Sequence, residues 1–316
     1  MSLAIFAPVT SLERPPGTGH SHAADPPAAP TRVPPALADE TGYLLRRAYV
    51  HGGQWAAGAM PDGAAVRDYE ILQTLSDLGP RSQLQLSELL WVNRTTMVKL
   101  IDALERENLV ERRRNPADRR SYALQLTPAG ERALQELSAA ADQAEAGLTA
   151  PLIAPERKTL TGLLGAIAVA NGPGELPAGL ARRAGFLLTT AHHRVRERVN
   201  EQLKQLGITT ALYGTLATVD ARGPISQQQI ADQLGLTGPA VVQTVDRLQA
   251  AGLVERHRDP TDRRSYALQL TDQGNATLGQ ARAAITQINH QLDDALGGKR
   301  ERLELNRLLL KLLGSP

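Results

Sequence analysis

The chain has 316 residues, of which 42 % are apolar, 3 % are aromatic and none is cysteine. This length suits two domains, the aliphatic composition favours helices over a sandwich or barrel, and the lack of thiols excludes a disulfide scaffold, a thiolate zinc site and a thiol redox sensor. Lys and Arg number 35 against 33 Asp and Glu, a net charge of +2, so a nucleic-acid partner requires the basic residues to be clustered.

Residues 1–38 hold eight of the twenty prolines and show neither a helical nor a strand period, so a disordered Pro/Ala-rich tail is expected. His20 and His22 within it read as solvated side chains, and no metal or cofactor is expected. No apolar run reaches the roughly 18 residues of a membrane span. Residues 3–9 are interrupted by Pro8 and follow no basic residue, which makes a poor signal peptide. The expectation is a cytoplasmic protein without a membrane partner.

Beyond the tail the chain repeats itself. Shifted by 144 residues, 69–134 lies on 213–278 without a gap, with 30 identities in 66 pairs. The decapeptide DRRSYALQLT at 118–127 recurs unchanged at 262–271. The period is far too long for a solenoid, so one domain is present twice, expected at 39–172 and 173–316.

Both copies carry the same elements in the same order. A first helix is expected over 41–55 and 184–206, and in the second copy Leu188, Val195, Val199, Leu203 and Leu206 form its apolar stripe. A second helix follows over 66–78 and 210–221. Ser82 with Gln85, and Ser226 with Gln229, are capping boxes that open a short third helix. After a tight turn, Asn93 and Thr237 are expected N-caps of a fourth helix that stops near Asn108 and Gly252. Trp91 stands in that turn where the second copy has Gly235. A left-handed backbone suits Gly and strains Trp, so either the turns differ or the alignment slips locally.

The period then changes to that of strands. Residues 110–113 and 121–126 form a ribbon closed by Asn115-Pro116-Ala117-Asp118, and the second copy repeats this with Asp259-Pro260-Thr261-Asp262. Thr127-Pro128 and Thr271-Asp272 begin a long helix. A last helix carries Leu160, Leu163, Leu164 and Ile167, or Leu305, Leu308, Leu309 and Leu312. The fold class is mainly α with a small β-ribbon.

Gly252-Leu253-Val254-Glu255-Arg256, then Asp262-Arg263-Arg264, Leu270-Thr271 and Gly274, in this order and largely duplicated in the first copy, resemble the MarR (multiple-antibiotic-resistance regulator) family of winged-helix transcription factors. The resemblance spans about 41–313. It implies two tandem winged helix-turn-helix domains and helical dimerisation elements. Members of that family usually pair as homodimers with one domain per chain. This chain carries both copies, which implies an intramolecular pseudo-dimer in a monomeric chain.

Each copy presents two basic or polar surfaces. Arg112, Arg113, Arg114, Arg119 and Arg120 fall within nine residues, opposed only by Asp118. Arg256, Arg258, Arg263 and Arg264 repeat the cluster more weakly. A basic ribbon beside a helix-turn-helix suits phosphates and the narrow minor groove. By the resemblance, Arg120 and Arg264 are wing arginines, with Asp118 and Asp262 bracing the wing.

A recognition helix offers its N-terminal residues to base edges in the major groove. In the first copy these are Asn93, Arg94, Thr95, Thr96 and Lys99, with Arg94 suited to bidentate reading of guanine. In the second they are Thr237, Gly238, Pro239, Ala240 and Gln243, an uncharged set suited to a thymine methyl and, through Gln243, an adenine. Val98, Ile101 and Leu104 are expected in the core.

The resemblance further implies a small aromatic or phenolic effector held between the first helices and the winged domain. Tyr49, His51, Trp55 and Tyr69 lie in that region of the first copy, and His192, His193, Arg196 and Tyr213 in that of the second. Polar aromatic tips over an apolar cleft suit an aromatic carboxylate.

No G-x-S-x-G, H-E-x-x-H or G-x-x-x-x-G-K-[ST] motif occurs, and Pro177 breaks a G-x-G-x-x-G reading of the linker, so no enzyme is expected. The expected function is sequence-specific binding of a double-stranded DNA operator with two half-sites, as a repressor released by a small ligand. The alternative is a DNA-independent small-molecule-binding or protein-interaction module on the same helices.

Overall fold

The computed structural model describes residues 33, 37–61, 64–114, 122–170, 175–234, 236–258 and 266–314. Apart from Val33, Leu37 and Ala38, the proline-rich tail lies outside the described residues, as do both ribbon turns and Gly235.

The elements run α1 (Thr41–Ala59), α2 (Val66–Leu78), α3 (Gln83–Leu89), α4 (Arg94–Arg106), β1 (Val110–Arg114), β2 (Tyr122–Leu126), α5 (Pro128–Thr149) and α6 (Ala154–Val169). The second copy follows as α7 (Ala184–Lys204), α8 (Thr210–Arg222), α9 (Gln227–Leu234), α10 (Gly238–Ala250), β3 (Val254–Arg258), β4 (Tyr266–Leu270), α11 (Asp272–Leu296) and α12 (Lys299–Leu312). No helix among the described residues is long and apolar enough to cross a membrane.

Local chemistry sets most boundaries. Ser82 accepts from the Gln85 N–H while the Gln85 side chain accepts from Ser82, and Ser226 and Gln229 repeat this reciprocal cap. Asn93 caps α4 by accepting the Thr96 N–H at 2.8 Å. Its counterpart departs from expectation, because the Thr237 side chain makes no capping bond and Pro239 fills the first turn instead. Asn108 and Gly252 both take the left-handed conformation that ends α4 and α10. The first helix runs on to Ala59, four residues past its expected end.

The turns before α4 and α10 are closed by equivalent backbone hydrogen bonds. Trp91 adopts φ 57°, and the Val92 N–H donates to the Ser87 carbonyl at 3.0 Å. In the second copy Leu236 donates to Ala231 at the same distance. The alignment therefore holds, and the first copy accepts about 1–2 kcal/mol of backbone strain at Trp91.

The Leu-Thr-x-x-Gly motif has a structural reason. Thr127 donates through Oγ1 to the Asn108 carbonyl at 2.5 Å and accepts from the Gly130 N–H at 3.0 Å, so it ties the start of α5 to the end of α4. A Cβ on Gly130 would lie 2.0 Å from the Leu109 carbonyl oxygen, and one on Gly274 would lie 2.0 Å from that of Leu253. Only glycine lets the long helix approach this closely.

Two compact units result. One holds His51–Ala191. The other holds His192 onward together with the stretch that ends at Val50. The sequence repeat and the spatial units thus differ in membership at the first helices, since α1 divides after Val50 and α7 before His192. In the α2–α6 unit, Ile71, Leu72, Leu86, Met97, Ile101, Leu160 and Leu164 are completely buried. In the α8–α12 unit, Leu216, Ile230, Val245, Leu248, Leu292, Leu305, Leu308 and Leu309 are completely buried, joined by Leu44 and Leu45 of α1. Removal of this apolar area from water is the main favourable contribution in both.

Candidate nucleic-acid interface

The recognition helices α4 and α10 bury one face and expose the other. Met97, Ile101 and Leu104 point into the core of α4, as do Val241, Thr244, Val245 and Leu248 of α10. Asn93, Arg94, Thr95 and Lys99 are exposed and Thr96 is half-buried. Thr237, Gly238, Pro239 and Gln243 are exposed in the second copy, with Ala240 half-buried. One residue departs from expectation. Val98 is not core but 44 % exposed, because its position in the helical period sets it on the Arg94–Thr95–Lys99 side.

The ribbons are antiparallel pairs in which Arg114 faces Tyr122 and Arg258 faces Tyr266. A third short contact completes each wing, Arg81 against Leu124 and Ile225 against Leu268. Arg113 and Arg114 are exposed, and Arg113 pairs with Glu111 at 2.8 Å. Arg258 closes β3. Arg119, Arg120, Arg263 and Arg264, with Asp118 and Asp262, lie outside the described residues.

Each ribbon is tied to its own recognition helix. Arg112 pairs with Asp102 of α4 at 2.9 Å and with Glu105 at 3.1 Å, and Arg256 pairs with Asp246 of α10 at 2.6 Å. Such exposed pairs contribute only about 0–1 kcal/mol to stability. Their effect is geometric, fixing the first strand of the ribbon against the helix that bears the polar face. Arg112 and Arg256 are thereby turned toward the protein. Asp102 and Asp246 escaped the sequence reading, although an identical Asp in both helices, ten residues before an identical Arg, is a legible signal.

Residues 66–122 and 206–265 each match the MarR family. A Thauera aromatica protein named as a candidate transcriptional regulatory protein for the hcr operon is 33 % identical over 131 residues, 41 % of this chain and 79 % of that protein.

The chain belongs to the MarR family.

Among solved structures, the transcriptional repressor CouR bound to a 23-mer DNA duplex is 36 % identical, with 39 % of this chain and 89 % of that one covered and a TM-score of 0.37. The reduced form of MarR from E. coli is 28 % identical over 40 % of this chain and 93 % of that one, with a TM-score of 0.37. This MarR-family chain is a transcriptional regulator and not an enzyme, and it carries the family domain twice.

The eight residues considered for an effector site fall into separate clusters. In the α8–α12 unit, Tyr49 stacks on His192 with ring centroids 4.8 Å apart and meets His193 edge-on at 5.6 Å. Burial holds the His192 imidazole well below its ordinary pKa, and the neighbouring His193, Arg196 and Arg46 add to the effect, so the ring is neutral. Burial also lowers the Arg196 guanidinium. Tyr213 donates its hydroxyl to Glu40 at 3.3 Å, and burial pushes both groups upward.

In the α2–α6 unit, the Trp55 indole N–H donates to His51 Nε2 at 3.2 Å. The Trp55 ring packs where a side chain on Gly147 would collide with it. The Tyr69 hydroxyl accepts from Arg183 Nε at 2.8 Å, with that guanidinium 5.1 Å from its ring centroid and also paired to Asp142. Among the described residues no group of His, Asp and Glu is arranged to hold a metal.

A further feature went unread in the sequence. Tyr43 and Arg47 donate to the Gln233 carbonyl at 3.0 and 2.9 Å, and Arg46 donates to the Leu234 carbonyl at 3.2 Å. These carbonyls end α9, the helix before the recognition helix, and lack partners within it. Three donors from α1, two of them cationic, therefore cap the negative end of that helix. In the other unit Arg67 serves α3 through the Leu90 carbonyl at 3.0 Å and pairs with Glu70.

Proposed function

We propose that the chain binds duplex DNA sequence-specifically as a monomer, its two copies acting as an intramolecular pseudo-dimer on an operator with two half-sites. The observation that carries this reading is the exposed polar face of α4 and α10, each tied by an Arg–Asp pair to its own basic ribbon. The recognition helix supplies base reading, and the ribbon supplies phosphate contacts that fix register. The halves read differently, since Arg94 and Lys99 face one half-site where Gly238 and Gln243 face the other. The regulator acts as a repressor. A small aromatic or phenolic acid releases it by binding near Tyr49 and His192, where a flat ring finds stacking partners and Arg196 lies close enough to affect the imidazole.

The test is selection of bound fragments from random duplex DNA, followed by titration of the best fragment with light-scattering mass measured on and off DNA. The expected result is one 33.9 kDa chain per asymmetric two-part site, with salt-sensitive affinity. A complex containing two chains, or a perfectly palindromic site equally intolerant in both halves, overturns the pseudo-dimer. Failure to retard any duplex supports the DNA-independent module. Benzoate and hydroxybenzoates are expected to release the fragment, and Tyr49→Ala is expected to blunt that release.

A further inference from the structure

The two recognition helices have diverged on nearly every position. Of the thirteen residue pairs between α4 and α10, only three are identical: Val98 with Val242, Asp102 with Asp246, and Leu104 with Leu248. Two of these have structural reasons. Leu104 and Leu248 are core residues, and Asp102 and Asp246 anchor Arg112 and Arg256 of the ribbons.

The valines have no such reason. Val98 and Val242 are each 44 % exposed. A β-branched residue on the solvent side of a helix is a poorer helix former than alanine and gains little from packing. Each also sits one turn into its helix on the exposed side, between Thr95 and Asp102 or between Pro239 and Asp246. Arg94, Thr95 and Lys99 accompany Val98, which is the apolar element of that otherwise polar face, whereas Val242 lies between Pro239 and Gln243 on an uncharged face.

The one apolar group that a base pair displays in the major groove is the thymine C5-methyl. We infer that Val98 and Val242 are specificity-determining residues, each packing on the methyl of one thymine. Two half-sites that otherwise differ then share a thymine at the equivalent position. The inference rests on the DNA-binding reading above and adds to it a named base and a named atom.

The experiment uses the full chain and the best fragment from the selection, with each thymine replaced in turn by deoxyuridine. This removes the methyl and leaves every hydrogen-bonding group of the base in place. One thymine per half-site is expected to respond, with affinity falling about fourfold, as for loss of one buried methyl-sized group. Val98→Ala is expected to abolish the response in one half only and Val242→Ala in the other, each variant binding the parent fragment about as weakly as the wild type binds the uracil fragment. Alanine favours the helix, and both sites are solvent-facing, so the variants fold; matching circular dichroism spectra check this.

Uracil tolerated at every thymine, or responses that persist in the Val98→Ala Val242→Ala double variant, overturns the inference while leaving DNA binding intact. Absence of binding to any duplex overturns the DNA-binding reading and this inference together.

Discussion

Replacing Gly130 by alanine puts a methyl group where the protein has a backbone carbonyl. The new Cβ would lie 2.0 Å from the Leu109 oxygen and 3.0 Å from its carbon. Neither atom belongs to a flexible side chain. The start of α5 has to retreat by at least about 1 Å to restore an ordinary contact, a displacement characteristic of overpacked sites. The same carbonyl accepts the Thr127 N–H at 3.1 Å, so that bond is stretched as the helix withdraws. Overpacking costs about 1–3 kcal/mol. Loss of a buried hydrogen bond costs about 1–3 kcal/mol. The helix-forming advantage of alanine offsets at most about 1 kcal/mol. The expected net destabilisation is therefore about 1–6 kcal/mol. Gly274→Ala, 2.0 Å from the Leu253 oxygen, is expected to do the same to the other unit.

The assay is urea unfolding of the full chain followed by circular dichroism. Gly162→Ala in α6 is the control, because its Cβ meets nothing within 4 Å. That variant is expected to gain about 0.5–1 kcal/mol from helix propensity alone. If Gly130→Ala unfolds at the wild-type midpoint or shifts in the direction of Gly162→Ala, the close-approach explanation of the Leu-Thr-x-x-Gly motif is wrong.

Two further outcomes are expected. Arg119→Ala with Arg120→Ala lowers affinity for all duplex sequences and flattens the slope of log affinity against log salt by about one per lost phosphate contact, measured by anisotropy titration; an unchanged slope means that these arginines touch no phosphate. His192 makes stability acid-sensitive. Its folded pKa lies below the unfolded value near 6.5, so the unfolded state binds more protons in that window. The contribution is fully present above the unfolded pKa and is lost as pH falls from there toward the folded pKa. Thermal melts from pH 7.5 to 5 are expected to fall more steeply for wild type than for His192→Phe, which keeps a ring against Tyr49, and parallel slopes would refute the assignment.

Much of this protein follows from short-range rules. The 144-residue repeat, the order of helices and strands, the caps at Ser82, Asn93 and Thr127, and the left-handed ends at Asn108 and Gly252 were legible because each depends on residues within one or two turns. The Trp91 turn shows the limit of such rules. Propensity argued against a left-handed Trp, and the packing of α3 against α4 placed one there.

Tertiary structure alone decided which residues meet across long separations. It split α1 after Val50 and sent Arg46 and Arg47 to carbonyls more than 180 residues away. It stacked Tyr49 on His192 instead of grouping it with Trp55 and Tyr69. It also turned Val98 outward beside buried Met97 and Ile101, where composition suggested a core residue. Periodicity can say that a helix has an apolar stripe, but where the edge of that stripe falls depends on how closely the neighbouring elements approach. Such approaches are decided between elements, as where the missing side chains of Gly130 and Gly274 let the long helices close on the Leu109 and Leu253 carbonyls, and periodicity does not contain them.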